Sequence, residues 1–537
     1  MIAELRCYRP LIIGRRGAVA ANHPLAAQAG LLALRAGGNA VDAAVATSAT
    51  LAVVEPMMSG LGGDGFYQVY EQASGRAVVF NGSGPAPTAA SLERYAVGIP
   101  RVGPLSVSVP GMLAGIAAMH QRFGQLPWRE LFGEAITFAR DGFAVTPHYR
   151  HLAGDYRETL IIDPRSTTTF LRDGEAPPVG APIAQPDLAD TLEEIASEGA
   201  ETFYRGRLAR RLATGLEAAG ALVSAADLAA FVAETQEPIA IDYRGFTVLE
   251  APPNSTGFVL LEELKILEHF DLPAMGLLSA DLVHVMVEAK KRAFADRERW
   301  AADPRSIAAP LAELLSADYT ACLAAGIDMR HAAPIPMAAA SAGDTTYFCT
   351  ADGEGNAVSG VQSINGGFGS GVIAGDTGIL LNNRMTYWHL EAGHPNRLQP
   401  GRRVRHTMNP PMVLKDGALW CVFGTPGADN QVQINMQVLT AMIDFGLDPQ
   451  QAAELPRWTS NLPGQYANWP HDGENALTIE RRFPDTVRAE LAHRGHPVKT
   501  VGDLEGPCSV EIIRCDPATG MLLAGSDPRR DGWALAW

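Results

Sequence analysis

The feature that most constrains how this sequence folds is an abrupt change of composition just before Thr345. Residues 332–344, AAPIPMAAASAGD, are small, contain proline and carry almost no charge, which predicts an exposed flexible linker. Residues 345–365, TTYFCTADGEGNAVSGVQSIN, follow at once as two strand-like runs around a glycine-containing turn, the pattern of a β-hairpin. The sharpest boundary of the chain is therefore expected at Thr345.

A threonine that starts a buried strand directly after a linker can act as an N-terminal nucleophile if the chain is cut before it. A hydroxyl is a poor nucleophile until a base takes its proton, and the freed α-amine of Thr345 is such a base within the same residue. That amine titrates at about pH 7.7 to 8.0, so part of it is neutral at working pH. The alternative, an ordinary threonine-rich strand edge, stays open on the residues alone because threonine is common in strands.

Counting along the hairpin predicts a neighbour for Thr345. If residues 352–356, DGEGN, form the loop, Ala351 faces Ala357 and Thr345 faces Ser363. Directly opposed residues hold their Cβ atoms about 4.5 to 5.5 Å apart. The Ser363 hydroxyl is therefore expected to reach the amine or Oγ1 of Thr345, with Asn365 just beyond on the same face.

Elsewhere, apolar periodicity predicts mainly helices. The expected helices are two within 24–55, broken at Gly37 and Gly38, then blocks at about 112–140 and 187–219, and an amphipathic helix over 280–300. A strand is expected from Phe66. Gly60, Gly62 and Gly65 fit a G-x-G-x-x-G spacing, but a helix precedes them and a strand follows, the reverse of the dinucleotide-binding context. We interpret them as a glycine-rich connection and expect no nucleotide cofactor.

Composition excludes several classes of function. The chain has 537 residues, 47% hydrophobic and 19% charged, with a net charge of −16, which is typical of a globular protein and argues against nucleic acid as a partner. Its length suggests several domains of about 100 to 200 residues, although single large folds reach this size. No signal peptide and no long apolar run is visible, so no membrane partner is expected. Six scattered cysteines without C-x-x-C spacing favour a cytoplasmic location and no zinc site.

Several segments together resemble the γ-glutamyltranspeptidase family of N-terminal-nucleophile hydrolases. They occur in the family's order over nearly the whole chain: NHPLAAQAGLLALRAGGNAVDAAVA from Asn22, SGLGGDGF, FYRGRLARRLA, GALVSAADLAAF, YRGFTVLEAPPNSTG, KKRAFADRERW, TTYF, DGEGNAVS, SINGGFGSG and GILLNNRM. This resemblance, rather than the hairpin count, favours a nucleophilic Thr345 over an ordinary strand edge.

The resemblance implies an α+β fold, a four-layer αββα sandwich, whose precursor cuts itself between Asp344 and Thr345. Fragments 1–344 and 345–537 would stay packed as one catalytic domain, a heterodimer, and whether two heterodimers pair is left open. Thr345 would form an acyl-enzyme with a small-molecule amide, and water or an acceptor amine would release the acyl group. By similarity, the backbone amides of Gly427 and Ala428 would form the oxyanion hole, where the family usually has two glycines. No cofactor and no metal is implied.

The expected substrate-binding positions depart from the family pattern. Ser83 stands where γ-glutamyl-binding members usually have an arginine, and Tyr387 where they have an aspartate. His406 and Thr407 replace the serine pair that usually contacts the α-carboxylate. A neutral serine and tyrosine supply neither the cation nor the anion that the two ends of an amino acid need.

Other polar residues suggest a different substrate. Arg384 takes the place of an uncharged side chain of the family, and His406 and Asn430 stand near the family's substrate wall. Asn365 is also expected to bind the substrate. An arginine can bind a small carboxylate through two parallel hydrogen bonds. We expect an amide whose acyl group has a carboxylate but no α-amino group. Oxamate amidohydrolases fit best within the family, and small dicarboxylic monoamides are the wider class. The alternatives are a γ-glutamyltransferase or glutathione hydrolase, and a non-catalytic binding protein. Arg384 could instead form a surface salt bridge, and His406 could be a satisfied core histidine.

Overall fold

The computed structural model describes residues 7–334, 344–471 and 473–537. The linker predicted at 332–344 lies mostly outside these residues. The helices are α1 (Pro24–Arg35), α2 (Ala40–Val54), α3 (Met112–Phe123), α4 (Gly133–Asp141), α5 (Pro147–Asp155), α6 (Arg157–Leu160), α7 (Pro164–Phe170), α8 (Pro186–Glu198), α9 (Glu201–Tyr204), α10 (Arg207–Ala219), α11 (Ala225–Ala230), α12 (Gly257–Leu267), α13 (Leu272–Met275), α14 (Ala280–Trp300), α15 (Leu311–Leu314), α16 (Ala317–Ala325), α17 (Asn430–Ile443), α18 (Pro449–Glu454) and α19 (Asp485–His493). Within the described ranges, no helix is both long and apolar enough to span a bilayer.

The strands form two large sheets and two small ones. In chain order they are β1 (Ile12–Gly14), β2 (Gly17–Ala21), β3 (Asp64–Glu71), β4 (Arg76–Gly82), β5 (Phe143–Ala144), β6 (Pro182–Ile183), β7 (Glu234–Gln236), β8 (Ile239–Tyr243), β9 (Phe246–Glu250), β10 (Asp344–Asp352), β11 (Ala357–Asn365), β12 (Met412–Lys415), β13 (Ala418–Gly424), β14 (Trp458–Asn461), β15 (Ala476–Glu480), β16 (Val498–Val501), β17 (Glu511–Asp516), β18 (Met521–Ser526) and β19 (Trp533–Ala536). One large sheet has the order β19-β2-β10-β11-β3-β4-β7, and the other has the order β1-β18-β17-β13-β12-β9-β8.

The helix predictions are confirmed in position, and two of them are longer than the helices observed. Helix α14 has the predicted ends, and α1 and α2 are separated at Gly37 and Gly38. Asn39 then starts α2, because its side chain accepts from two amides of the first turn and the Asp42 carboxylate binds back to the Asn39 amide. The block at 112–140 divides into α3 and α4, and the block at 187–219 into α8, α9 and α10, with glycines following α3 and α8.

Three large apolar clusters pack the two sheets. One contains residues of both sheets, including Tyr347 and Val361 from the first and Val422 and Ile513 from the second. Another contains residues of the first sheet together with α1, α2 and α3, and the third contains residues of the second sheet together with α12, α14 and α17. Each sheet is therefore packed against both the other sheet and a set of helices.

The predicted hairpin is confirmed, with one irregularity at its start. The pairs run without interruption from Ala351 with Ala357 to Thr346 with Gln362, as the loop assignment requires. Asp344 then pairs with Asn365, so one residue of β10, Thr345, lies opposite two residues of β11. A β-bulge of this kind re-aims the side chain beside it.

Candidate functional site

Thr345 and Ser363 lie side by side at the start of the hairpin. Both are buried, and Thr345 Oγ1 donates to Ser363 Oγ at 3.4 Å. Ser363 Oγ also accepts from the amide of Asn365 at 2.8 Å. The contact expected from the hairpin count is therefore present, although the bulge lies at this point. The hydroxyl–hydroxyl distance is longer than a typical O–H···O hydrogen bond.

The row of side chains continues onto the next strand at Asp64. Ser363 pairs with Asp64 of β3, and directly opposed residues share a face of the sheet. Two residues further along the three strands, Tyr347, Val361 and Phe66 belong to the cluster between the sheets. Because alternate residues share a face, Thr345, Ser363 and Asp64 point toward the second sheet.

The glycine-rich loop before Asp64 packs closely against the segments that carry the site. A Cβ at Gly63 would lie 2.4 Å from the carbonyl oxygen of Ser363, and one at Gly62 would lie 2.2 Å from that of Leu380. Only glycine permits such an approach of two backbones. The loop follows α2 and leads into β3, so its interpretation as a glycine-rich connection is confirmed.

Asp64 is a site residue that the sequence analysis missed. Its Oδ1 accepts from the Gly84 amide at 2.8 Å, while Oδ2 accepts from Arg384 Nε at 3.1 Å and lies 3.4 Å from His406 Nε2. Burial raises the pKa of Asp64, but the His406 hydrogen bond and the Arg384 charge outweigh this effect and lower it overall. The signal in the sequence was a carboxylate inside a glycine-rich, otherwise uncharged loop.

Arg384 lies in the protein interior, so the alternative of a surface salt bridge is wrong. Its side chain is 1% exposed, and its guanidinium carbon lies 4.4 Å from the centre of the Tyr387 ring. Nε binds Asp64, whereas Nη1 and Nη2 have no hydrogen-bond partner among the described residues. Buried polar groups are normally paired, which makes these two nitrogens, beside the Tyr387 ring, candidate ligand contacts.

His406 lies beside Arg384 and is only partly satisfied. Its ring packs against Phe66 and Tyr387, with centroids 5.3 and 5.9 Å away, and its Nδ1 has no partner within the described part of the chain. His406 is thus buried as a core histidine would be, but only its Nε2 has a hydrogen-bond partner among the described residues. Burial and the Arg384 charge lower the pKa of His406 to about 4, so the ring is neutral near pH 7.

Other residues expected at the site are engaged by the protein itself. The Ser83 hydroxyl donates to Asn81 Oδ1 at 2.6 Å and accepts from Asn254 Nδ2 at 3.1 Å. The Tyr387 hydroxyl and Thr407 Oγ1 share a hydrogen bond of 3.0 Å.

The Asn365 side chain is only partly engaged. Its Nδ2 donates to Thr386 Oγ1 and to Asn468 Oδ1, at 2.9 and 2.8 Å. Its Oδ1 has no partner in residues 7–334, 344–471 and 473–537. This oxygen, like Nη1 and Nη2 of Arg384, is a buried polar atom without a partner in the described part of the chain, and it is a candidate ligand contact.

Gly427 and Ala428 form a tight loop directly before α17. Both have positive φ angles, 123° and 48°, and a Cβ at Gly427 would lie 2.2 Å from Cys508 Sγ. The start of a helix carries unpaired amides and a partial positive charge, which suits a developing oxyanion. Asn430 is the first residue of α17, and its Oδ1 is unpartnered among the residues described.

The same loop belongs to the end of the second sheet that lies over Thr345. Gly424, the last residue of β13, lies so close to Tyr347 that a Cβ there would be 2.4 Å from the ring. Tyr347 is two residues from Thr345 on β10, and Gly427 is three residues beyond Gly424. The two candidate parts of the site, nucleophile and oxyanion loop, therefore come from facing strands of the two sheets.

One cluster contains the residue types of a metal site, but its carboxylate is already neutralised by two arginines. Ligand atoms of Glu298, His389 and His394 lie within 4.8 Å of one another. The Glu298 carboxylate, however, already accepts from Arg297 and Arg405, at 2.7 and 2.6 Å. These two cations neutralise the carboxylate and oppose a third positive charge at the same place.

Comparison with known proteins identifies the relatives of the chain. The gamma-glutamyltranspeptidase family model matches residues 26–537. A glutathione hydrolase-like YwrD proenzyme of Bacillus subtilis is 39% identical, over 98% of this chain and 99% of the relative. An acylase ACY 1 proenzyme of Pseudomonas sp. is 37% identical, over 100% and 96%. An oxamate amidohydrolase proenzyme of Klebsiella pneumoniae is 35% identical, over 98% and 99%.

A solved structure agrees with the sequence relatives. The crystal structure of cephalosporin acylase from Bacillus halodurans has a TM-score of 0.90 and 36% identity, and the match covers 100% of this chain and 99% of that one. Since the family model and these relatives span nearly the whole chain, the protein is a member of the gamma-glutamyltranspeptidase family of N-terminal-nucleophile hydrolases.

Proposed function

We propose that this protein is a self-processing amidohydrolase that cleaves the amide of a small acyl group carrying a carboxylate, through an acyl-enzyme on Thr345. The observation that carries the proposal is the buried Arg384, which binds Asp64 in the same row as Thr345 and Ser363. Its Nη1 and Nη2 have no partner among the residues that the structure describes. Oxamate-like dicarboxylic monoamides are the substrate class proposed. The names of the relatives, an oxamate amidohydrolase and acylases among them, are consistent with amide cleavage.

Processing is proposed to use the same nucleophile as turnover. Thr345 Oγ1 attacks the Asp344 carbonyl, the peptide nitrogen leaves as the new α-amine of Thr345, and water hydrolyses the resulting ester. In turnover, this amine takes the hydroxyl proton while Oγ1 attacks the substrate amide, and the proton passes to the departing amine. Water then releases the acid. Ser363 Oγ binds Thr345 Oγ1, and the amides of Gly427 and Ala428 stabilise the oxyanion.

The four-layer αββα sandwich is part of the proposal. The cluster between the sheets and the two clusters between sheets and helices support this layering. Fragments 1–344 and 345–537 are proposed to form one catalytic domain, because each large sheet contains strands of both fragments paired with each other.

The electrostatics favour a carboxylate without an α-amino group. Asp64 is the carboxylate next to Arg384, and its oxygens already face three donors, from Gly84, Arg384 and His406. It has little capacity left to bind a substrate ammonium group. Adjacent strands lie about 4.7 to 4.9 Å apart, so Asp64, two strands from Thr345, is roughly 10 Å away at the backbone.

Processing is tested by denaturing electrophoresis of the purified protein. We expect the 57.1 kDa chain to be replaced by fragments 1–344 and 345–537, and N-terminal sequencing of the smaller one to begin at Thr345. Thr345→Ala should remain a single chain, while Thr346→Ala, which changes the neighbouring hydroxyl, should still be cut. A wild-type chain that stays intact on prolonged incubation would support a non-catalytic binding protein instead.

Substrate class is tested with the processed protein and a panel of amides. The panel contains oxamate, longer linear dicarboxylic monoamides, uncharged amides of equal length, glutathione and a chromogenic γ-glutamyl anilide. We expect a higher kcat/KM for carboxylated amides than for uncharged ones of the same length. Faster turnover of the γ-glutamyl compounds would favour the glutathione hydrolase alternative.

A further inference from the structure

A chain of ion pairs adjoins the candidate site, and Glu298 is at its centre; the two arginines are buried, whereas the carboxylates of Glu298 and Asp429 are partly exposed. Glu298 Oε1 accepts from Arg297 Nε and Nη2, at 3.0 and 2.7 Å, and Oε2 accepts from Arg405 Nη1 at 2.6 Å. Arg297 Nη1 in turn donates to Asp429 Oδ1. Burial raises the pKa of Glu298, but the charges of Arg405 and Arg297 outweigh it and hold that pKa well below its usual range.

The two ends of this chain adjoin the two halves of the site. Asp429 directly follows Ala428 and precedes the first residue of α17. Arg405 directly precedes His406, which binds Asp64, and Asp64 holds Arg384. The sequence of contacts from Asp429 through Glu298 to Arg405 thus joins the oxyanion loop to the segment that supports the carboxylate-binding arginine.

General stabilisation is a weak explanation for this arrangement. Ion pairs often contribute little net stability, because solvent weakens the attraction where they are exposed and desolvation of the charges cancels much of it where they are buried. Removing one member, by contrast, leaves its partner unpaired and allows the attached segments to move. Arg297 is further fixed by a bond to the Gln465 carbonyl and by the Phe294 ring, 4.2 Å from its guanidinium carbon. Glu298 therefore links Arg297, which is held by these contacts, to Arg405.

We propose that Glu298 is a positioning residue that fixes the distance between the oxyanion loop and Arg384, and so sets the length of acyl chain that the enzyme prefers. A short acyl group must place its carbonyl at the oxyanion loop and its carboxylate at Arg384 simultaneously. An error of about 1 Å in such a geometry can cost roughly 100-fold in rate. This inference rests on the proposed function, because it assumes that Arg384 holds the carboxylate.

The test compares Glu298→Gln with wild type on a series of linear dicarboxylic monoamides and uncharged amides of matched length. We expect the wild type to show a clear optimum of chain length. In the variant, kcat/KM for the best substrate should fall by about tenfold or more. For substrates with slightly shorter or longer acyl chains, kcat/KM should fall less, so that the dependence on chain length becomes flatter. Denaturing electrophoresis checks that both proteins are fully processed before the comparison. Thermal unfolding measures any change in stability that the substitution causes.

Asp444→Asn is the matched control. Asp444 is also a carboxylate in an ion pair, accepting from the Tyr243 hydroxyl at 2.7 Å and from Arg244 Nε at 3.2 Å, but it lies just beyond the other end of α17. This variant should keep the chain-length optimum even where its stability falls.

Two outcomes separate the hypotheses. Equal loss of activity on every substrate by Glu298→Gln, or no loss at all, would show that Glu298 has no positioning role. Failure of the wild type to hydrolyse any carboxylated amide would overturn the proposed function itself.

Discussion

Arg384 is the residue whose environment says most about the ligand. A guanidinium has five N–H donors, and only the one on Nε is used by Asp64. The other four belong to Nη1 and Nη2, which have no partner within the described residues. Leaving buried donors unpaired is costly, and a planar carboxylate is the group that would pair two of them at once.

Replacing Arg384 should therefore affect carboxylated substrates selectively. We expect Arg384→Met to lower kcat/KM for a carboxylated amide. The loss of transition-state stabilisation should be roughly 2 to 4 kcal/mol, as for loss of one partner of a buried charge pair. Uncharged amides of the same length serve as the internal control, because they make no ion pair with Arg384. Steady-state kinetics on both measures the difference, and a change below about twofold would remove Arg384 from the site.

His406 gives a prediction about pH. Its pKa is lowered to about 4 in the folded protein, against 6.5 ordinarily. As pH falls below about 6.5, the unfolded chain binds a proton that the folded protein does not, so stability is lost until about pH 4. Denaturant unfolding at several pH values should show a smaller loss for His406→Asn than for wild type, by roughly 3 kcal/mol. Parallel pH profiles for the two proteins would contradict the assignment.

The loop before α17 is the local element on which oxyanion stabilisation depends. Gly427 has a φ of 123°, and its α-carbon faces Cys508, so no other residue fits there without moving the loop. A shift of the loop would misdirect the amides of Gly427 and Ala428, which act only when aimed at the developing charge.

Gly427→Ala should consequently slow turnover without abolishing binding. Loss of one well-aimed oxyanion donor costs about 10²- to 10³-fold in kcat, and we expect a fall of this order with little change in KM. Gly446→Ala is the control, because Gly446 also has a positive φ, 70°, and follows α17, yet nothing lies within 4 Å of its would-be Cβ. Comparable kcat values for the two variants would argue against an oxyanion role for this loop.

The hairpin and the site differ in how far the sequence could predict them. The register of β10 with β11 can be predicted from the loop between them. Once the loop residues are assigned, each step back along β10 faces one step forward along β11. The bulge at Thr345 does not follow, since it depends on the amide of Asn365, with φ of 80°, binding Ser363 Oγ. Asp64 was missed because the pairing of β3 with β11 and the contacts to Arg384 and His406 all join distant segments. Local patterns carry no information about such contacts.

The two proposed fragments are interleaved across the molecule. In the first large sheet, β10 lies between β2 and β11, and β11 pairs with β3, so strands from before and after Thr345 are direct neighbours. In the second sheet, β12 pairs with β9, and β18 with β1. Periodicity alone could predict many of these elements but not their order in the sheets, because that order depends on pairing between segments distant in the chain.

This interleaving predicts how the cleaved protein behaves as a whole. Separating the fragments would break backbone pairing at several strand edges and open all three apolar clusters, because each of them contains residues from both fragments. We expect fragments 1–344 and 345–537 to elute together in size-exclusion chromatography and to unfold in one cooperative transition, as single domains do. The uncleaved Thr345→Ala chain is the control and should show a transition of similar denaturant dependence, because that slope follows the surface exposed on unfolding. Release of either fragment as a folded species without denaturant would show that the boundary at Thr345 separates two domains.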